Sequence, residues 1–81
     1  MNDDKMRQCF CDALGLRLDQ VTDTLEYNSV PEWDSVGHMA LVAALEGAFD
    51  LMMDTDDILA LSTVARAREI LGRYGIVFNA A

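Results

Sequence analysis

With 81 residues, the chain has enough material for one small domain built around one core, expected to span residues 1–81. At 52% hydrophobic and 25% charged, it is too apolar to be disordered by composition, and it carries no apolar run long enough to cross a membrane. A net charge of −8 argues against nucleic-acid binding, which needs clustered Lys and Arg against phosphates.

The charges are segregated. All six basic residues lie outside residues 18–65, while ten of the acids lie inside that span. Such an acidic middle suits steering towards basic partner proteins, although solubility alone would also account for it. The opening Asn2-Asp3-Asp4-Lys5 is too polar for a secretory leader, so a cytoplasmic protein is expected. Cys9 and Cys11 are the only cysteines and the chain has one histidine, so no metal site is expected and both thiols read as reduced and packed near a helix face.

In chain order, Met6, Cys9, Phe10, Ala13 and Leu14 recur at helical spacing and predict a first helix over residues 3–14. Gly15 is its left-handed stop, with Leu16 making the closing apolar contact. Residues 17–34 form a long connection in which Leu18, Val21, Leu25, Tyr27, Val30 and Trp33 are expected to pin the chain to the core, with a short turn near residues 19–22. A second helix follows over residues 35–50, with Leu41, Val42, Leu45 and Phe49 on its core face. Its other face holds Val36, Ala40, Ala43 and Gly47, small and apolar where a solvated helix would be charged. That stripe reads either as a docking surface or as a second buried face. Thr55 is a candidate cap for a short third helix with Asp56 and Asp57 in its first turn, contacting the core through Ile58, Leu59 and Leu61. Ser62 or Thr63 caps a fourth helix to about Tyr74, with Val64, Ala67, Ile70 and Leu71 inward, and Ile76-Val77-Phe78 is a candidate tail packing back on the core. No alternating strand pattern or repeat appears. The expected fold is all-α, a four-helix bundle with one long loop between helices 1 and 2 and a short helix 3.

The stretch Glu32-Trp33-Asp34-Ser35-Val36-Gly37-His38-Met39 joins the long loop to the second helix. Asp34 or Ser35 can cap that helix. A helix N-terminus is partly positive and rich in free N–H donors, so Ser35 there is well placed to carry a phosphodiester.

Three blocks then resemble the acyl carrier protein family in register over nearly the whole chain. Asp34-Ser35-Val36 resembles its Asp-Ser-Leu attachment motif. Leu41-Val42-Ala43-Ala44-Leu45-Glu46, followed by Phe49-Asp50, resembles its second helix, and Leu61-Ser62-Thr63-Val64 resembles the start of its last helix. The resemblance implies that a phosphopantetheinyl transferase attaches 4′-phosphopantetheine from coenzyme A to Ser35, with Asp34 presenting the serine. It also implies that acyl or aminoacyl groups are carried as thioesters, delivered by a loading ligase and passed to downstream synthases or transferases. Val36, Met39, Ala40 and Ala43 would meet these partners, with Glu46 and Asp50 pairing with their basic residues. The chain departs from fatty-acid-synthesis carriers in having Gly37, His38, Met39 and Ala40, then Gly47 and Ala48, where those carriers are dense in acids, and in placing Trp33 before the Asp-Ser pair. A specialised member is therefore expected, and the protein is expected to be a monomer.

Other readings compete. Ser35 and His38, three residues apart on one helix, could form a nucleophile and base, but no third group or oxyanion hole is evident, so no enzyme is expected. His38 would then either pair with backbone or line an acyl cleft. Asp50, Asp54, Asp56 and Asp57 lack the spacing, central Gly and closing Glu of a calcium loop. A small acidic helical adaptor without a prosthetic group predicts the same fold and charge. Met52 and Met53 precede helix 3, where a carrier is expected to open for its cargo, making that helix the most mobile.

Overall fold

The computed structural model describes residues 2–78. Four α-helices are present, α1 Asn2–Leu14, α2 Ser35–Phe49, α3 Thr55–Ala60 and α4 Val64–Arg73, with a 3₁₀ turn at Leu18–Gln20. The expected all-α bundle, its long first connection and its short third helix are all seen, and the helices share one apolar core in which α1 packs chiefly against α2.

Helix α1 buries Met6, Cys9, Phe10, Cys11 and Leu14. Cys11 joins Cys9 inside because the core wraps further round the helix than a single stripe, and burial raises both thiol pKa values, which keeps them protonated. Gly15 takes φ +69°, and the Gly15 and Leu16 amides both donate to the Cys11 carbonyl, closing the helix as the sequence predicts.

The connection over residues 17–34 is held by three buried anchors, Val21, Leu25 and Trp33. Leu18 and Tyr27, expected to help pin it, are instead exposed. Backbone hydrogen bonds do the remaining work. The Tyr27 amide donates to the Ser62 carbonyl (2.8 Å), and the Val64 and Ala65 amides donate to the carbonyls of Leu25 and Asp23 (3.2 Å each). One antiparallel bridge, Glu26 to Thr63, results, and it is too short to leave an alternating pattern in the sequence. Trp33 is fully buried, with the Phe10 ring edge-on at 5.4 Å.

Asp34 caps α2, its Oδ1 accepting from the Gly37 amide at 2.8 Å. Leu41, Val42, Leu45 and Phe49 form the core face, as predicted, while Ala40, Ala43 and Gly47 are exposed together with Val36 and Met39. The stripe is thus an open surface and not a second buried face. The helix ends at Phe49, one residue earlier than predicted, because Asp50 adopts the left-handed conformation at φ +53°.

Helix α3 differs most from expectation. Thr55 is its first residue, not its cap. Asp54 occupies the cap position without a side-chain bond. No residue of α3 is fully buried: Leu59 points to solvent at 79% exposure, and Leu61, just beyond the helix, supplies the core contact. Polar contacts fasten its start instead. The Asp54 amide donates to the Tyr74 hydroxyl, which donates to Asp57 Oδ2, while Arg73 pairs with Asp57 Oδ1. Thr63, not Ser62, caps α4, its Oγ1 accepting from the Arg66 amide, and Val64, Ala67, Ile70 and Leu71 face inward as expected. Beyond α4, Ile76 and Phe78 pack on the core while Val77 points out.

At the end of the bundle where α1, the loop and α4 meet, Arg7 and Arg68 each bridge Asp3 and Asp23 at 2.7–3.0 Å, and Arg7 also donates to the Val21 carbonyl. The Arg7 hydrogen bond holds the Asp3 carboxyl below the ordinary range, and Arg68 does the same for Asp23. A carboxylate with a depressed folded-state pKa adds stability above its unfolded value that is lost as pH falls through the folded one. The melting temperature should therefore drop on acidification below about pH 4, and drop less steeply in Asp3→Asn.

Gly37 is where the loop crosses the first turn of α2. A Cβ there would collide with the Glu32 carbonyl oxygen and lie 3.0 Å from Leu14 Cδ2, whereas a Cβ at Gly47 meets nothing within 4 Å. Gly37→Ala should destabilise by about 1–3 kcal/mol, from strain that outweighs its better helix propensity. Gly47→Ala should stabilise by about 0.5–1 kcal/mol. Urea denaturation of the two variants checks both signs.

Candidate functional site

Ser35 begins α2 and is exposed. Because Asp34 supplies the cap, the serine hydroxyl is not consumed by it. The first-turn N–H groups that Asp34 leaves free give this end of the helix its partial positive charge, a setting that suits a phosphodiester oxygen. Asp34 thus fixes the helix start on which Ser35 sits.

Beside Ser35 opens a cavity of about 350 Å³. Its walls are Tyr27 from the loop, Ser35, His38 and Met39 from α2, and Ile58, Leu59, Leu61 and Ser62 from α3 and its exit. The lining is mostly apolar, with the Tyr27, Ser35 and Ser62 hydroxyls and the His38 ring as its polar groups. This cavity lies by the last residues of α3, at the other end of that helix from Met52 and Met53. Met53 is buried in the core, and Met52, 84% exposed, stands away from the cavity.

His38 is half-buried and spans two elements. The Trp33 indole Nε1–H donates to His38 Nδ1 at 3.0 Å, and His38 Nε2 lies 2.8 Å from the Ile58 carbonyl. An indole N–H can only donate, so Nδ1 is the acceptor and the ring proton sits on Nε2, donating to Ile58. Of the two roles open to this residue in the sequence, backbone partner and cleft wall, the structure has it in both. The ring is already committed through both nitrogens, and no hydrogen bond joins it to Ser35, so the arrangement is not that of an activated nucleophile.

The remaining predicted site residues fall as follows. Val36 (77% exposed) and Met39 (55% exposed) flank Ser35, and Ala40 and Ala43 continue the open stripe along α2. Glu46 is only half-exposed, and its Oε2 accepts from the Met53 amide at 2.8 Å, so it staples the end of α2 to the next connection as well as contributing charge. Asp50 is exposed at the left-handed end of the helix. Among the described residues, no three His, Cys, Asp or Glu side chains converge on a point that could hold a metal, and no helix is long and apolar enough to cross a membrane. Sequence reasoning did not find Tyr27, Ile58, Leu59, Leu61 or Ser62 as cavity residues. The signal available was Leu61-Ser62 immediately ahead of the α4 cap, a position that faces α2 only once the loop has paired with residues 62–65.

Among curated proteins none matches the chain. A family model does: that of the phosphopantetheine attachment site aligns with residues 4–71, a span that holds all four helices but their outermost residues. The residues present fit the group that gives this family its name. An exposed serine stands at a capped helix N-terminus, with an apolar-walled cavity opening directly beside it. The chain therefore belongs to the phosphopantetheine-attachment family of carrier proteins and takes 4′-phosphopantetheine as its prosthetic group.

Proposed function

We propose that the chain carries acyl or aminoacyl intermediates on 4′-phosphopantetheine attached at Ser35, and presents them to the enzymes of a specialised lipid, polyketide, saccharide or amino-acid pathway. The observation that carries this reading is the family match over residues 4–71, with Ser35 as the exposed serine at the N-terminus of α2. When bound, the group supplies a terminal thiol that holds cargo as a thioester. The protein's own residues attach, orient and present it. Asp34 fixes the first turn, and the helix N-terminus favours the phosphodiester charge.

Recognition is the other task of the chain. Val36, Met39, Ala40 and Ala43 form an exposed apolar strip leading away from Ser35, and the exposed acids Glu32, Asp34 and Asp50 lie at its two ends. A strip of this kind suits a complementary apolar patch on a transferase, ligase or synthase, while the acids speed encounter with a basic rim. Glu46 pairs with partners less freely, because one of its oxygens is engaged by Met53. The α2 surface carries few acids for a carrier of fatty-acid synthesis, which supports a specialised pathway.

Incubation with coenzyme A, magnesium and a broad-specificity phosphopantetheinyl transferase should add one phosphopantetheine to the intact mass, and Ser35→Ala should gain nothing. A folded native chain that stays unmodified would leave a helical adaptor as the better reading. The loaded protein should also be a poor substrate for housekeeping fatty-acid elongation enzymes, and efficient elongation would remove the case for a specialised pathway.

A further inference from the structure

We propose that Gly37 is a positioning residue for the attachment reaction, because its bare Cα seats the Glu32 carbonyl against the first turn of α2 and so holds Ser35 in place for the transferase. The inference rests on attachment at Ser35 as read above, and adds the residue that fixes where the serine stands.

The first turn of α2 is tied into one unit. The Asp34 carboxylate accepts from the Gly37 amide and the Asp34 carbonyl from the His38 amide, both at 2.8 Å, with Ser35 and Val36 between. Against this turn lies the peptide group that joins Glu32 to Trp33. Its N–H end donates to the Val30 carbonyl at 3.2 Å, and the Trp33 side chain that follows is fully buried. A peptide group is planar, so swinging the Glu32 oxygen aside would turn that N–H from its acceptor. The turn cannot slide along the loop either without breaking the bond from the Trp33 indole to His38. A Cβ at position 37 would strike the Glu32 carbonyl oxygen, with Leu14 Cδ2 at 3.0 Å and Asp34 Oδ1 at 3.4 Å beside it. The obstacle is backbone held by its own hydrogen bond, which no side-chain rotation relieves.

Attachment forms a bond from Ser35 Oγ to the phosphorus of coenzyme A that bears pantetheine. The bond from that phosphorus to the bridging oxygen breaks, adenosine 3′,5′-bisphosphate leaves with the electron pair, and the serine proton passes to a base of the transferase. Such a displacement depends on where the attacking oxygen stands, and a misplacement of about 1 Å can cost on the order of a hundredfold in rate. A methyl group at position 37 lifts the turn off the loop or breaks the Asp34 cap, and either one moves Ser35. The strip of Val36, Met39, Ala40 and Ala43 stays exposed for docking. The loss therefore falls on the chemical step and not on encounter.

The test follows transfer from coenzyme A, with magnesium and a broad-specificity transferase, to the native chain, Gly37→Ala, Gly72→Ala and Ile70→Val, at a temperature where circular dichroism shows each chain folded. A Cβ at Gly72 meets nothing within 4 Å and Ile70 is buried in α4, so these variants control for a glycine change and for lost stability. In Gly37→Ala, kcat should fall about tenfold to a hundredfold with KM within about twofold of native, and both controls should keep native values. In the native chain, the Trp33 and Gly37 amides should exchange at least about tenfold more slowly than in a free chain, as held groups do. An unchanged kcat in folded Gly37→Ala would overturn the proposal, as would a loss confined to KM or an equal loss in Ile70→Val. Free exchange of the native Trp33 and Gly37 amides would overturn it even if Gly37→Ala fails to fold, because a loop that yields needs no seat. A native chain that takes up no phosphopantetheine would instead remove the carrier reading, and this inference with it.

Discussion

The hydrogen-bond chain from Trp33 through His38 to Ile58 is the interaction on which the working end of the molecule depends. A fully buried indole must find an acceptor, and it finds the imidazole one turn into α2. Meeting that demand fixes the ring and its tautomer, and the fixed ring in turn meets the demand of an unpaired carbonyl on α3. One side chain thus ties the end of the long loop, the start of α2 and the body of α3 to one another. Ser35 lies among these three elements, at the capped start of α2.

The rest of the fold divides its work by the strength of its packing. Helices α1, α2 and α4 are joined by a continuous apolar core, reinforced where α1, the loop and α4 meet by the Asp3, Arg7, Asp23 and Arg68 network. Helix α3 adds only the partly buried Ile58 and Ala60 to that core and is fastened besides by hydrogen bonds at its two ends. Directional bonds can be broken one at a time at modest cost, whereas a packed face must separate as a whole. The cavity beside Ser35 therefore has one wall set in the core and one wall held largely by hydrogen bonds.

Much of this was legible in the residues. The apolar periodicity of α1, α2 and α4, the Gly15 stop, the Asp34 cap and the exposed stripe from Val36 to Ala43 all depend on contacts within one helix or its immediate flanks, which sequence spacing reports directly. Ser35 stood out because its position at a helix start is itself a local feature. What was not legible depends on how distant segments meet. Leu59 has the character of a core residue and points to solvent, because α3 turns Ile58 and Ala60 towards the core instead. The pairing of residues 23–27 with residues 62–65 is a single bridge with no periodic signature, yet it brings Tyr27 and Ser62 to the cavity. The two roles of His38 could be listed from the sequence, but that both hold at once depends on where Ile58 lies.

The central claim is that Ser35 is the point of attachment, and the most direct measurement is fragmentation of the peptide containing residues 32–39 after treatment with coenzyme A and transferase. Loss of a pantetheine fragment from that peptide, with the remaining phosphate located on Ser35, is the predicted result. A modified chain whose added mass maps to any other residue would contradict it.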